Sequence, residues 1–298
     1  MADTKITAAP QASGKKKKKE SLGKITLRRL SRDRMARIGF CIMLILILAS
    51  IFSSYIAPYN YTKMDLTSRF QSPSWKHLFG TDEMGRDIFS RMLIGSRYSL
   101  SIGVITVAIS ATIGIAIGSI CGYYGGAVDT IVMRLIDVFQ AVPSLVMAIA
   151  IGAALGPGYR NTILALSIGG MPAYVRMARA SVMNIRKMEF LEAANAINCT
   201  DARIIFRHVL PNALSPLIVQ MTMGIATGII TASSLSFVGL GVQPPEPEWG
   251  AMLSAGRAYI RDHAYLTTCP GLTIMITVLA LNMIGDALRD ALDPKLKD

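Results

Sequence analysis

The sequence predicts an all-α integral membrane protein with six transmembrane helices, and three observations carry that expectation. Apolar residues make up 52% of the 298 and charged residues only 17%, too few to cover the surface of a soluble fold of this size. The apolar residues form long charge-free blocks instead of short amphipathic stripes, and about 20 such residues suffice to cross ~30 Å of hydrocarbon. Twelve of the 31 Lys and Arg residues lie within the first 37 positions, directly before the first apolar block. Basic residues there hold a chain end at the cytoplasmic face against anionic lipid.

Residues 1–20, with the run Lys15 to Lys19, bury too little apolar surface to offset the entropy of ordering and read as a disordered tail. Over residues 21–36, Leu22, Ile25, Leu30 and Met35 alternate with arginines, a pattern that fits a helix in the headgroup layer or an extended basic linker equally well. Residues 1–36 therefore form a cytoplasmic basic segment and 37–298 a transmembrane domain. The expected spans are about 38–57, ended by Pro58; 99–123; 133–156, kinked at Pro143; 161–182, interrupted by Pro172; 212–238; and 268–288, starting near Pro270. In the fourth, Arg176 and Arg179 are expected to snorkel to the interface or line a polar cavity. In the second, Gly114, Gly118 and Gly122 share one helix face and permit close approach of another helix, the alternative being a flexible glycine-rich helix without a partner. Six spans put both termini on one side, and the N-terminal charge makes that side cytoplasmic. The first outer loop departs from the positive-inside rule, with Lys63, Arg69, Lys76, Arg86, Arg91 and Arg97.

The net charge of +12 does not signal nucleic-acid binding, because no aromatic residue interleaves the basic ones and no recognition motif follows. Cys41, Cys121, Cys199 and Cys269 and the three histidines are scattered without metal-ligand or disulfide spacing. No GxxxxGK[ST] sequence occurs, so P-loop ATP binding by this chain is not expected, and no nucleophile, base and orienting residue are arranged as in an enzyme. Arg134 and Asp137, three apart, fit an ion pair on one helix face, with a proton-relay or substrate role as the alternative.

The informative stretch is 189–212, too polar for lipid yet rich in helix formers. Phe190 to Ile197 offers Ala193, Ala194 and Ile197 at helical spacing, and Asp201 to Leu210 offers Ile204, Ile205 and His208. Thr200 suits the N-cap of the second helix, Pro211 is expected to stop it, and Asn198 suits a left-handed corner between the two. A helical hairpin of this kind can insert into a groove on a soluble partner. Asp82, Glu83, Arg86 and Asp87 alternate in sign within six residues and read as a docking surface or a self-paired turn.

Glu192-Ala193-Ala194, then Arg203-Ile204-Ile205 and His208-Val209-Leu210-Pro211-Asn212, resemble the EAA loop of bacterial ABC-importer permeases. His77 to Asp87, Ser236 to Pro245, Pro247 to Gly250 and Asp286 to Pro294 resemble the dipeptide, oligopeptide and nickel branch, second-permease type, and the likeness runs from about residue 35 to the C-terminus. Asn198 departs from that family's usual glycine. The resemblance implies an ABC-importer permease fold in a bacterial cytoplasmic membrane and a peptide path shared with a paralogous permease. It also implies two ATP-binding subunits that hold the ATP and Mg while this chain holds no cofactor, and an extracytoplasmic peptide-binding protein. Coupling to the ATPase would then fall to Glu192, Ala193, Ala194, Asn198, Arg203, Ile204, His208, Leu210 and Pro211. Docking of the binding protein would fall to Asp82, Glu83, Arg86, Asp87, Glu248 and Trp249. A nickel-complex permease of the same branch and an ion-coupled secondary transporter are the alternatives. The second of these should place carboxylates at mid-membrane, where spans one, two, five and six have none.

Overall fold

The computed structural model describes residues 22–292, so the lysine run and the terminal Asp293-Pro294 lie outside the described residues. Helices α1 (Leu22–Arg32) and α2 (Arg34–Ile51) meet at Asp33, whose carboxylate accepts the Ala36 N–H at 2.8 Å and caps α2. The basic segment is thus helical here and packs along the last helix of the chain, and an extended linker is not observed. A short α3 (Ser53–Ile56) ends at Ala57, held extended by the Pro58 that follows.

Helix α4 (Ile88–Tyr124) has 37 residues, about 55 Å at 1.5 Å per residue, and starts eleven residues before the expected span. Asp87 starts it early by accepting the Ser90 N–H at 2.8 Å. The third span is two helices, α5 (Gly126–Ala141) and α6 (Ser144–Leu155), set at 85° to each other. The kink expected at Pro143 is therefore a complete break, because the proline supplies no N–H and pushes Val142 into an extended conformation. Helix α7 (Tyr159–Arg186) runs unbroken through Pro172. Beyond α8 (Glu189–Ala196) and α9 (Asp201–Ile204), α10 (Leu210–Phe237) leads to α11 (Trp249–Gly256) and α12 (Tyr265–Leu292).

By length and apolarity α2, α4, the α9–α10 segment and α12 can each cross a membrane, and the bent α5–α6 pair makes a fifth. Helix α7 is as long as α10, at 28 residues, but carries Arg160, Arg176, Arg179 and Arg186. Among the described residues there is no β-strand, only an isolated bridge between Thr81 and Asp87.

The most extensive helix pair is α4 with α7. Lipid is as apolar as leucine, so in a membrane this contact gains from close fit and not from hydrophobic burial. Gly114, Gly118 and Gly122 supply the fit: a Cβ on Gly114 would stand 2.6 Å from the Tyr174 Cβ, and one on Gly122 2.8 Å from the Arg179 carbonyl oxygen. A Cβ on Gly118 would collide with the Val175 carbonyl. Helix α10 packs against α4, α7 and α12, and α2 covers α12 from outside.

The bundle has two distinct ends. At one, Arg97 donates to the Ser50 and Ile51 carbonyls at 2.8 Å each, and α11 packs on the start of α12. At the other, the last turn of α12 approaches Met177 and Ser215, and α8 and α9 pack beneath α7 and α10. Both ends of the described chain lie on the side of the α8–α9 hairpin.

Candidate coupling hairpin and central cavity

The hairpin is built from two caps and an apolar seam. Helix α8 ends where Asn198 takes φ 56°, and the Cys199 N–H returns to the Ala194 carbonyl at 3.2 Å, the six-to-one bond of a Schellman cap. Asparagine tolerates this left-handed corner in place of glycine. Thr200 stands at the N-cap of α9 with ψ 147°, and its carbonyl accepts the first helical bond from the Ile204 N–H at 3.0 Å, but its side chain makes no cap bond. Leu191, Ala194, Ile204 and Val209 then close on Val182, Ile185, Ala213 and Leu217. The buried positions of α8 are thus Leu191 and Ala194, and Ala193 and Ile197 face outward.

Pro211 does not stop the second helix. Residues Ile205–Val209 form a π-helical turn that runs directly into α10, and the Leu210 N–H bonds back to Ile205. The wider turn accommodates a proline that lacks an N–H and whose ring would crowd the carbonyl of an ordinary α turn. The Asn212 amide donates to the His208 carbonyl at 2.6 Å and satisfies an acceptor in that turn.

Glu192, Asn198, Arg203 and Pro211 are exposed on this hairpin, His208 and Leu210 are half-buried, and Ile204 is fully buried. Ile204 therefore anchors the hairpin and offers nothing to a partner. Two outward apolar side chains escaped sequence reasoning as contact candidates: Ile197, 75% exposed, and Phe206, 72% exposed. Phe206 falls off the buried Ile205–Val209–Ala213–Leu217 stripe, which is the signal that could have revealed it. The Tyr123 hydroxyl donates to Asp201 at 2.8 Å, tying the hairpin to the end of α4 beside a recess lined by Glu192 and Arg186.

The opposite end corrects the expected docking set. Asp82, Arg86 and Asp87 are buried, and they satisfy one another and the backbone. Asp82 accepts the Met84 and Arg86 N–H groups at 2.9 Å each and Arg86 Nε at 2.7 Å, and Arg91 Nε lies 3.5 Å away. Arg86 Nη2 also donates to Glu83 at 3.1 Å, and Asp87 Oδ1 meets His77 Nδ1 at 2.9 Å. Glu248 and Trp249 are buried as well, and the Trp249 indole donates to the Met92 carbonyl at 3.0 Å. Buried charges persist only when paired and hydrogen-bonded, so this cluster is a self-satisfied scaffold. Only Glu83, half-buried, keeps a face toward solvent. Next to the scaffold, hydrogen bonds from the Thr67 and Ser68 side chains hold the Asp65 carboxyl below its ordinary range.

Arg176 and Arg179 of α7, expected at the interface or in a polar cavity, are each paired with an aspartate of α5. Arg179 forms a bidentate pair with Asp129 of α5, 2.6 Å on the Nη2 side, and Arg176 Nη2 donates to Asp137 at 2.6 Å. Asp137 is thus paired across helices and not with Arg134.

Between α4, the α5–α6 break, α7 and α10 lies a cavity of about 450 Å³. Gln140, Ser144, Gln220, Thr227 and Thr231 are among its polar lining residues, and none of the described residues lining it is charged.

Residues 114–298 match the family described as binding-protein-dependent transport system inner membrane component, and residues 21–73 match the N-terminal TM domain of oligopeptide transport permease C. The chain is 44% identical over 270 residues to the dipeptide transport system permease protein DppC of Alkalihalophilus pseudofirmus, covering 91% of this chain and 89% of the relative. It is 45% identical over 273 residues to the glutathione transport system permease protein GsiD of Escherichia coli O157:H7, with the same coverages of 91% and 89%. Among solved structures, an inward-facing MetNI methionine ABC transporter aligns with a TM-score of 0.58 at 19% identity, covering 69% of this chain and 98% of that one. At that identity the likeness is one of fold.

Proposed function

This chain belongs to the family of binding-protein-dependent transport system inner membrane components and is a membrane transport permease; on that premise we propose that it forms half of a peptide path in an ATP-driven importer, with the α8–α9 hairpin as its coupling element. The peptide assignment is supported by relatives named as dipeptide and glutathione transport permeases. A paralogous permease completes the path, two ATP-binding subunits engage the hairpins of the pair and hold ATP and Mg, and an extracytoplasmic binding protein delivers peptide. Both termini and the hairpin face the cytoplasm, in keeping with the basic residues ahead of α2.

The observation that carries the reading is the two-sidedness of the hairpin. Its inner face is continuous with the cores of α7 and α10, so a push on it moves those helices as packed bodies. Its outer face shows Glu192, Arg203, Ile197 and Phe206, apolar anchors beside charges able to set register in a groove. Closure of the ATP-binding subunits would bias two arrangements of the bundle, inward-open and outward-open, by their different fit to the hairpin. An ion-coupled mechanism is less well supported, because the central cavity has no carboxylate among its described lining residues.

The test is accessibility. With Cys41, Cys199 and Cys269 replaced by serine, which leaves only the buried Cys121, Ile197→Cys should react with an impermeant thiol reagent in inside-out vesicles and not in right-side-out ones. Labelling from the outside would overturn the assignment.

A further inference from the structure

The α8–α9 hairpin is joined to the bundle in two unlike ways. Its seam, where Leu191, Ala194 and Ile204 meet Val182, Ile185 and Leu217, is apolar and reaches α7 and α10. Burial of that kind holds two surfaces together without fixing a direction between them. The other joint is polar and directional: the Tyr123 hydroxyl, at the end of α4, donates to Asp201 at 2.8 Å. Tyr124 faces the same carboxylate, and its ring stands edge-on to that of Tyr123 with centroids 5.1 Å apart. Because the Thr200 side chain gives α9 no cap, this bond from another helix is what holds the start of α9.

The donor in that bond is itself firmly placed. The Tyr123 ring packs against the seam. Gly122, the residue before it, brings α4 so close to α7 that a Cβ there would stand 2.9 Å from the Cβ of Val182, which belongs to the seam. A few residues further on, Asp129 of α5 forms its bidentate pair with Arg179 of α7. The end of α4, the start of α5 and the last turns of α7 therefore make one block, and Tyr123 is the point at which that block grips the second helix of the hairpin.

What the bond reaches is the longest helix of the molecule. From Tyr124 α4 runs unbroken for 37 residues back to Ile88, where Asp87 caps it. Near that far end its Met92 carbonyl accepts the Trp249 indole N–H at 3.0 Å. One continuous helix thus has the coupling hairpin at one end and the buried charge scaffold at the other. The apolar seam makes no such connection.

We propose that the Tyr123–Asp201 bond is a positioning link that fixes the tilt of the hairpin against α4, so that motion imposed on the hairpin by the ATP-binding subunits is carried along α4 to the outer end of the bundle as well as into α7 and α10. Without the link the seam keeps the hairpin folded, but the hairpin rocks on α7 and a share of ATP cycles ends without moving the bundle. The proposal rests on the reading of α8–α9 as the coupling element and names the residues that make its push directional.

The experiment uses the complete importer, co-isolated with its partner subunits and binding protein and reconstituted in liposomes, with alanyl-alanine uptake and ATP hydrolysis measured on the same samples. Tyr123→Phe combined with Tyr124→Phe removes both hydroxyls and keeps both rings. It should lower the ratio of peptide moved to ATP hydrolysed roughly threefold, the scale of one exposed hydrogen bond, with hydrolysis retained. Asp201→Ala should lower the ratio as much, and adding it to the tyrosine variant should lower it no further. Asp201→Asn, which keeps an oxygen able to accept the hydroxyl, should hold most of the wild-type ratio. A merely structural role would reduce uptake and hydrolysis together and leave the ratio at its wild-type value, and that result overturns the link, as do additive losses in the combined variant. A wild-type complex that moves no alanyl-alanine on ATP removes the importer reading beneath the link, so the wild-type control tells the two failures apart.

Discussion

Glu248 and Ser99 stand 149 positions apart in the chain, yet the Ser99 hydroxyl donates to Glu248 Oε1 at 3.0 Å. The same carboxylate accepts the Gly250 and Ala251 N–H groups and the Ser236 hydroxyl, each at 2.9 Å, and is fully buried. One side chain thereby caps α11 and joins it to α4 and α10. Four donors replace the water that a buried carboxylate loses, so no cation is required.

Glu248→Ala should therefore cost more than a lost cap. It leaves two backbone donors and two hydroxyls unmet in the interior, at about 1–3 kcal/mol per unsatisfied group. Thermal unfolding of the purified chain in detergent should show a midpoint several degrees lower. Glu248→Gln should fall between, because its NH₂ faces groups that also donate. An unchanged midpoint for the alanine variant would show that the cap carries no stability.

Gly118→Ala tests the α4–α7 seam. The added methyl meets the Val175 carbonyl, a backbone group that cannot rotate away. Overpacking of this kind costs about 1–3 kcal/mol, and the helices would have to separate. Lower yield of monodisperse chain on gel filtration is the expected result. Gly126→Ala, where nothing lies within 4 Å, is a control for added bulk, though its φ of 61° also resists a side chain.

On the hairpin, Glu192→Arg and Phe206→Ser should separate folding from coupling. Both side chains are exposed, so stability should stay within about 0.5 kcal/mol of wild type. Co-isolation of the ATP-binding subunit, or uptake driven by it, should fall sharply. Ile204→Ser is the contrasting case: that side chain is fully buried in the seam, and the variant should unfold the hairpin and lower the thermal midpoint. Full uptake with Glu192→Arg would remove that residue from the coupling surface.

The two ion pairs between α5 and α7 should differ in strength. Arg176 and Asp137 have side chains 47% and 49% exposed, where pairs contribute about 0.2–1 kcal/mol. Arg179 and Asp129 are 29% and 15% exposed and bidentate, and hydrogen bonds to charged groups contribute about 1.5–3 kcal/mol. Double-mutant cycles on thermal stability, using asparagine for each aspartate and methionine for each arginine, should give the larger coupling at 129–179. Equal couplings would mean that burial does not rank them.

What the sequence determined by itself was everything set by local covalent preference or by gross solvent class. The apolar blocks, the glycine face of α4, the corner at Asn198 and the polar hairpin between spans all follow from neighbours within a few positions or from the need to match lipid. What the tertiary structure decided was partnership. Pro211 by itself ends a helix, but packing of Val209 and Leu217 onto α7 keeps the chain helical through a π turn. Asp137 has Arg134 nearby in sequence, yet it pairs with Arg176 from another helix. Asp82, Arg86 and Glu248 have the composition of a surface loop, and they are interior because groups up to 149 positions distant fold over them and supply their hydrogen bonds. The free energy of a charge depends on what surrounds it in space, and that surrounding is not written in its neighbours along the chain.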